Sequence, residues 1–154
     1  MSCANHHQCI DDALARAEAI CARSGARLTP IRRDVLREVW SSHEATKAYD
    51  LMERLSRRGD QVKPPTVYRA LDFLLEQGLA HKIESLHAFI GCTHPEHPHA
   101  SQFLICAECG RVTELEDAAI AQSLTLAAGE TGFRPSRPVV EVIGTCADCV
   151  LKHL

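Results

Sequence analysis

The amino-acid sequence predicts a mixed α/β (α+β) chain whose first half is mainly helical and whose second half is built around a small sheet. Between residues 11 and 77, apolar residues recur at helical spacing and are separated by helix start and stop signals. A β-β-α-β pattern follows residue 100, and two Cys-x-x-Cys pairs lie within it. These observations predict an N-terminal winged helix-turn-helix domain followed by a small α/β domain.

Helices are predicted in the first half where capping residues precede an apolar stripe. The first covers 11–24 and stops at a glycine, and the second covers 30–40 behind Thr29, a good N-cap. A third covers 47–58, and a fourth begins at Pro65 and ends before the next glycine.

Two short β-like runs, 79–84 and 87–92, follow the fourth helix and predict a hairpin. Helices followed by such a hairpin form the winged-helix plan. In the fourth helix Arg69 lies two positions from Val67, about 200° around the axis, and therefore faces away from the apolar stripe. The pattern alone is equally compatible with DNA binding and with an ordinary amphipathic core helix.

In the second half, strands are predicted at 102–106, 111–115 and 139–145, a helix at 117–130, and a short helix at the C-terminus. The Pro- and His-rich stretch before them breaks regular structure. The predicted boundaries are a flexible arm at 1–10, a winged-helix domain at 11–84, a wing strand and hinge loop at 85–100, and a metal-binding domain at 101–154.

Charge is distributed unevenly over the 154 residues. Residues 1–82 carry 13 Lys and Arg against 11 Asp and Glu, whereas residues 83–154 carry 4 against 9. The first part can therefore approach a phosphate backbone, and the acidic second part is expected to stay away from it. No apolar run approaches the roughly 20 residues of a membrane span, and no signal stretch opens the chain. We expect a cytoplasmic protein with reduced cysteines and no membrane partner.

The two Cys-x-x-Cys pairs predict a structural zinc site. Each pair can bind one ion from a tight turn, and together they complete a tetrahedral shell of four thiolates. Because that shell leaves no open position, the ion is expected to hold structure and not to catalyse. The alternatives are two disulfides or four unligated buried thiols. The predicted ligands are Cys106, Cys109, Cys146 and Cys149.

A second set of candidate ligands combines nitrogen, sulfur and oxygen donors, which suits zinc and disfavours calcium, magnesium and manganese. Spacing alone specifies this set weakly, because each residue also has an ordinary structural interpretation. Nearby His94 and His97 allow other sets, and the N-terminal Cys3, His6, His7 and Cys9 form a further cluster. The residues of the second set are His81, Cys92, His99 and Glu114.

One motif imitates an enzyme. His94-Pro95-Glu96 followed by Cys106-x-x-Cys109 is similar to the signature of zinc deaminases, which keep an open metal position. No proline precedes Cys106, only nine residues separate it from Glu96, and the second cysteine pair would have no role. We therefore expect no enzymatic activity and no small-molecule substrate.

Several segments together resemble the ferric uptake regulator superfamily and, within it, the branch of zinc uptake regulators. The likeness covers about residues 11–150. The segments are Arg27-Leu28-Thr29-Pro30-x-Arg32, Ala48-Tyr49-Asp50-Leu51, Lys63-Pro64-Pro65-Thr66-Val67-Tyr68-Arg69-Ala70-Leu71-Asp72-Phe73-Leu74 and the two cysteine pairs.

The resemblance implies a homodimer that binds double-stranded operator DNA when loaded with zinc and represses zinc-uptake genes. It implies that 101–154 is also the dimerisation domain. Two zinc ions per chain are expected, a structural one on the four cysteines and a regulatory one on the mixed set. The His-rich loop is one residue shorter than in relatives, so His97 could replace His99, and His94 with His97 could serve a third ion.

For DNA, the resemblance implies that the fourth helix is the recognition helix and that Tyr49 is a further contact. A regulator of the same fold that responds to iron, manganese or peroxide is the nearest alternative, and a zinc-stabilised protein-interaction module is another. The expected DNA-binding residues are Arg32, Tyr49, Lys63, Thr66, Tyr68 and Arg69.

Overall fold

The computed structural model describes residues 5–59 and 61–153. The chain divides into two compact units, residues 1–97 and residues 98–154, called here the N-terminal and C-terminal units. The mixed α+β fold is confirmed. Within the described ranges, no helix combines the length and the apolar composition needed to span a bilayer.

Helices form most of the N-terminal unit, and their bounds largely follow the proline and glycine signals. Thr29 precedes the second helix as predicted, but its side chain makes no capping hydrogen bond. Gly25 ends the first helix in the left-handed conformation (φ 71°), and its N–H donates to the carbonyl of Cys21. Prolines occupy the first turns of the second and fourth helices, where no intrahelical N–H is needed. The helices are α1 (His6–Ser24), α2 (Pro30–Val39), α3 (Ala48–Arg57) and α4 (Pro64–Glu76).

The first helix corrects the prediction for the N-terminal arm. It begins at His6, five residues before the predicted start at Asp11, so residues 6–10 are helical and not a loose arm. The His6 ring Nε2 lies 2.7 Å from the carbonyl oxygen of Ser41, which fixes this first turn against the end of α2. Sequence pattern did not show the extension because polar side chains dominate it. Cys3, part of the candidate arm cluster, lies outside the described residues.

The predicted wing hairpin is present. β2 (Ala80–Ile83) and β3 (Ala88–Gly91) pair antiparallel, and β1 (Thr46–Lys47) pairs with the other edge of β3. The connection is a single turn of 3₁₀ helix followed by His87 in the left-handed region (φ 48°), so it is longer than the predicted two-residue link. The strand β1 was not predicted.

The core of the N-terminal unit is formed by facing apolar stripes of α1, α2, α3 and α4, with Ala80 of β2 and Phe89 of β3. On α4 the stripe is at most 1% exposed at Val67, Leu71 and Leu74. Burial of these positions leaves the opposite face of α4, including Tyr68 and Arg69, exposed to solvent.

The C-terminal unit has the predicted β-β-α-β order and closing helix. β4 pairs antiparallel with β5 and parallel with β6, giving the order β5-β4-β6. The helix between β5 and β6 supplies the crossover that parallel pairing requires. Asp117 caps its start and accepts hydrogen bonds from the N–H groups of Ala119 and Ile120. The elements are β4 (Ser101–Cys106), β5 (Val112–Leu115), α5 (Ala118–Glu130), β6 (Val139–Gly144) and α6 (Ala147–Lys152).

The C-terminal unit has a thin core. Its well-buried apolar side chains are Phe103, Ile105 and Val112, together with two of the cysteines. None of the residues of α5 is buried, although the helix is apolar on average. Large apolar side chains remain exposed on this unit: Leu104, Ile120, Leu124, Leu126, Phe133, Val142, Ile143, Val150 and Leu151.

Replacing Gly91 by alanine is expected to destabilise the N-terminal unit. A Cβ at this position of β3 would overlap the indole ring of Trp40. Relieving such overpacking typically costs about 1–3 kcal/mol. Because Trp40 is the sole tryptophan, its fluorescence during urea unfolding measures the change directly.

Gly144→Ala is the matched control, since a Cβ on this glycine of β6 has no atom within 4 Å. An unchanged unfolding midpoint for Gly91→Ala would contradict the predicted clash.

Candidate metal centres and nucleic-acid interface

The first cysteine pair lies on a tight turn after β4. Cys106 ends the strand, and its N–H donates to the carbonyl of Arg111 at 2.9 Å. The N–H of Gly110 donates back to the carbonyl of Cys106 at 3.0 Å. Gly110 has φ 73°, a conformation that glycine adopts without a steric cost. The turn therefore directs both thiols of the pair to the same side.

The second cysteine pair opens α6. Cys146 is the N-cap, and the N–H of Cys149 donates to its carbonyl at 3.0 Å. β6 delivers this segment beside the first turn, where the N–H of Ala107 donates to the carbonyl of Gly144 at 2.8 Å. Parallel pairing of β4 and β6 thus brings together two pairs that are 37 residues or more apart in sequence.

The four thiols are spaced for a tetrahedral ion. All four Sγ atoms lie within 4.8 Å of one another, and Cys109 Sγ is 3.7 Å from Cys146 Sγ. A zinc–sulfur distance of about 2.3 Å in a tetrahedron separates two sulfurs by about 3.8 Å. A disulfide would require about 2.05 Å, and all four cysteines are free. The geometry fits a four-thiolate zinc site and excludes the alternative of two disulfides.

The protein environment affects the thiols of this cluster differently. The backbone N–H groups of Cys146 and Cys109 lower the pKa of Cys106 to about 6. A hydrogen bond with the Cys146 thiol, together with burial, raises the pKa of Cys149 to about 12. Four thiolates repel one another in the absence of a cation, so metal binding here must release protons.

Two of the mixed ligands belong to the wing. His81 lies in β2, Cys92 directly follows β3, and their ligand atoms lie within 4.8 Å of each other. The N–H of Cys92 donates to the carbonyl of Leu79 at 3.0 Å, which extends the hairpin pairing by one step. The N-terminal unit therefore offers one nitrogen and one sulfur ligand from its wing.

The other two mixed ligands belong to the C-terminal unit. His99 precedes β4, and its Nε2 lies 2.6 Å from Oε1 of Glu114 in β5. This unit therefore offers one nitrogen and one oxygen ligand. The remaining loop histidines, His94 and His97, stack with ring centroids 6.1 Å apart and planes 14° apart, and both are exposed.

Five of the six candidate DNA-binding residues are exposed, four of them on α4 or directly before it and one, Tyr49, in α3. Tyr68 and Tyr49 are 48% and 72% exposed, unusual values for large aromatic side chains. Lys63 caps α4, and Thr66 and Arg69 lie on its exposed face.

Arg32 differs from the other residues of that set. Its guanidinium lies over the ring of Phe73 at 3.8 Å from the centroid and donates to the carbonyl of Arg27 at 2.7 Å. Both contacts lie within the N-terminal unit and tie α2 to α4 and to the segment before α2. The sequence pattern could not show this because it did not define where α2 crosses α4.

Cys106→Ser is expected to abolish zinc binding by the four-thiolate cluster, because a serine hydroxyl is a poor zinc ligand and three thiolates do not complete the shell. Native mass spectrometry should show one zinc ion fewer per chain, and circular dichroism should show loss of structure in the C-terminal unit.

Cys21→Ala is the control, because Cys21 is a buried thiol of the other unit, outside the cluster. Its zinc content should match that of the unmodified chain. Retention of the full zinc content by Cys106→Ser would contradict the assignment.

Comparison with known proteins identifies the family to which the chain belongs. Residues 23–143 match the model of the ferric uptake regulator family. The chain is 45% identical to the zinc uptake regulation protein of Escherichia coli K12 over 138 residues, 89% of this chain and 81% of that protein.

Among solved structures, a zinc uptake regulator complexed with zinc and DNA matches with a TM-score of 0.89 at 43% identity, covering 94% of this chain and 97% of that one. Holo XcZur matches with a TM-score of 0.82 at 43% identity, covering 90% and 96%. The chain belongs to the ferric uptake regulator family.

Proposed function

We propose that this chain is a zinc-responsive transcription regulator that represses zinc-uptake genes and binds operator DNA as a zinc-loaded homodimer. The observation that carries the proposal is the division of the mixed ligands: each unit contributes two, and neither pair alone completes a four-coordinate site. The 45% identity to a zinc uptake regulation protein supports zinc as the signal.

In this proposal Cys106, Cys109, Cys146 and Cys149 hold a structural zinc. The ion supplies the cross-link that a unit with a thin core needs, as in other small domains. No ligand position remains open, so we assign no enzymatic activity and no small-molecule substrate to the chain.

The regulatory zinc is assigned to His81 and Cys92 from the wing and to His99 and Glu114 from the C-terminal unit. Binding by all four ligands would set the angle between the DNA-binding and dimerising parts. Shifting a conformational equilibrium from 1:99 to 99:1 takes about 5.5 kcal/mol of differential binding. Structural zinc sites provide roughly 10–16 kcal/mol of apparent binding, so a fraction is sufficient.

The thiolate of Cys92 favours zinc over manganese, magnesium and calcium. The same-fold alternative that responds to manganese is therefore less well supported, and the 45% identity to a zinc uptake regulation protein favours zinc over iron or peroxide. His94 and His97 are exposed and lie between Cys92 and His99 in sequence. The proposal therefore includes two variants, a third zinc on His94 and His97, or His97 as a ligand in place of His99. The proposal requires at least two zinc ions per chain, one structural and one regulatory.

The exposed face of α4 is assigned to operator DNA. Arg69 would hydrogen-bond a base edge in the major groove, with Tyr68 next to it in sequence. Lys63 and Thr66 at the start of α4, and Tyr49 at the start of α3, would contact the phosphate backbone. Arg32 is assigned the role of holding α4 in place through Phe73. A partner of this kind places the protein's action in the cytoplasm.

The homodimer is assigned to the C-terminal unit. Its exposed apolar side chains include Leu126, Phe133, Ile143 and Leu151, each more than 60% exposed in the single chain. Large apolar side chains left exposed in a single chain are the groups that an interface between subunits covers. Two copies would cover each other's apolar surfaces and present two recognition helices to successive half-sites.

Arg69→Ala is expected to weaken operator binding by about 1–3 kcal/mol, because one bidentate contact to a base is lost. Zinc content should not change. Arg57→Ala is the matched control: Arg57 is exposed but is held by Glu53 at 2.6 Å within α3. Gel-shift titration at constant salt measures both variants. Equal operator affinity for the two would refute the role of Arg69.

Cys92→Ser is expected to give a folded dimer that retains the four-thiolate zinc but does not respond to added zinc. The reason is that one ligand of the regulatory site is lost while the structural site is untouched. Operator binding across buffered zinc concentrations, with sedimentation for the dimer, provides the measurement. If Cys92→Ser and Cys106→Ser behaved alike in both assays, the division into two sites would be wrong.

A further inference from the structure

The two Cys-x-x-Cys segments share a second feature besides their thiols. Each has an acidic residue directly before its second cysteine, Glu108 in the first and Asp148 in the second. Each acid is bound by a basic side chain that follows the other pair. Arg111 Nη1 lies 2.6 Å from Asp148 Oδ2, and His153 Nε2 lies 2.8 Å from Glu108 Oε2.

These contacts connect the two segments in both directions. Arg111 reaches from the first turn to the first helical turn of α6, across 37 residues of sequence. His153 reaches from the end of α6 back to the first turn, across 45 residues. The segments that carry the four thiols are therefore linked by side chains at both ends of α6, in addition to the backbone contact from Ala107 to Gly144.

Arg111 also lies in the field of the thiols. Its hydrogen bond and charge interaction with Asp148, and then the charges of Cys146 and Cys109, raise the pKa of its guanidinium. A zinc ion bound by four thiolates carries a net negative charge, which a neighbouring arginine offsets. The position of Arg111 is thus favourable for the loaded cluster as well as for the contact between segments.

We propose that Glu108, Arg111, Asp148 and His153 are positioning residues that hold the two cysteine segments around the structural zinc and slow its release. A four-thiolate site loses its ion when one segment moves away from the other, and the reciprocal contacts oppose that movement. The inference depends on the proposed function for the identity of the ion. It explains how a zinc sensor keeps one ion bound while it responds to changes in free zinc.

The size of the effect follows from exposure. All four side chains are between 39% and 69% exposed, so each contact is screened by solvent and contributes modestly. Groups that hydrogen-bond the ligands directly change metal affinity by about 10- to 100-fold when removed, which sets an upper bound for contacts that act one residue away from a ligand. For exposed partners we expect zinc release about 3- to 10-fold faster for each lost contact.

Arg111→Gln and Glu108→Gln are the variants to compare, because each removes one contact and leaves α6 unchanged. Asp148→Asn is less suitable, since Asp148 lies in the first turn of α6 and also stabilises the helix end. Glu53→Gln is the matched control, because it removes an arginine–carboxylate pair of the same 2.6 Å length from α3. Zinc release is measured on the full-length protein in a Cys92→Ser background, which removes the regulatory ion, by the absorbance of 4-(2-pyridylazo)resorcinol present in excess.

Both variants are expected to release the structural zinc faster than the Glu53→Gln control, and the double variant faster than either. Arg111→Lys, which keeps the charge, should release it more slowly than Arg111→Gln. If Arg111→Gln is isolated without zinc while Arg111→Lys is loaded, the proposal is also supported. Release rates equal to the control in Arg111→Gln, Glu108→Gln and the double variant would overturn it.

Failure of the proposed function can be told apart from failure of the positioning role. Its failure would appear as an unmodified protein that contains no zinc in the four-thiolate cluster, whereas failure of the positioning role leaves the zinc content intact.

Discussion

The parallel pairing of β4 with β6 is the contact on which the C-terminal unit depends. It places Cys106 opposite Gly144, which is two residues before Cys146. The turn after β4 and the start of α6 therefore lie side by side at the same end of these two strands. Few apolar side chains are buried in this unit, and α5 buries none. The metal proposed for the four thiols would therefore complete a fold that hydrophobic burial alone supports weakly.

The two kinds of candidate site differ in where their ligands lie. The four cysteines belong to one unit and come together through its own strands and turns. The mixed ligands are divided between units, with His81 and Cys92 in one and His99 and Glu114 in the other. In the proposed function, a closed site within one unit suits permanent structure, whereas a regulatory ion that drew ligands from both units would link its binding to conformation.

Much of this architecture follows from sequence pattern. Capping residues and apolar periodicity predict α2, α3 and α4 to within a few residues, and Cys-x-x-Cys spacing predicts the thiol cluster. The strand β1 is only two residues long and stays below any periodic signal. Three features were not predicted because they depend on contacts between elements that are distant in sequence. They are the start of α1 at His6, the Arg32–Phe73 stack and the Glu108–His153 contact. The mixed ligands came from family resemblance, since their spacing alone is weak.

The two prolines that open α4 limit how this helix can bind anions. Pro64 and Pro65 have no N–H groups, and the N–H groups of Thr66 and Val67 already donate to the carbonyl of Lys63. The amides that usually cradle phosphate at a helix start are thus lacking or occupied. The phosphate contacts proposed for this helix start would therefore depend on side-chain charge and hydroxyls, and ionic strength should control their strength.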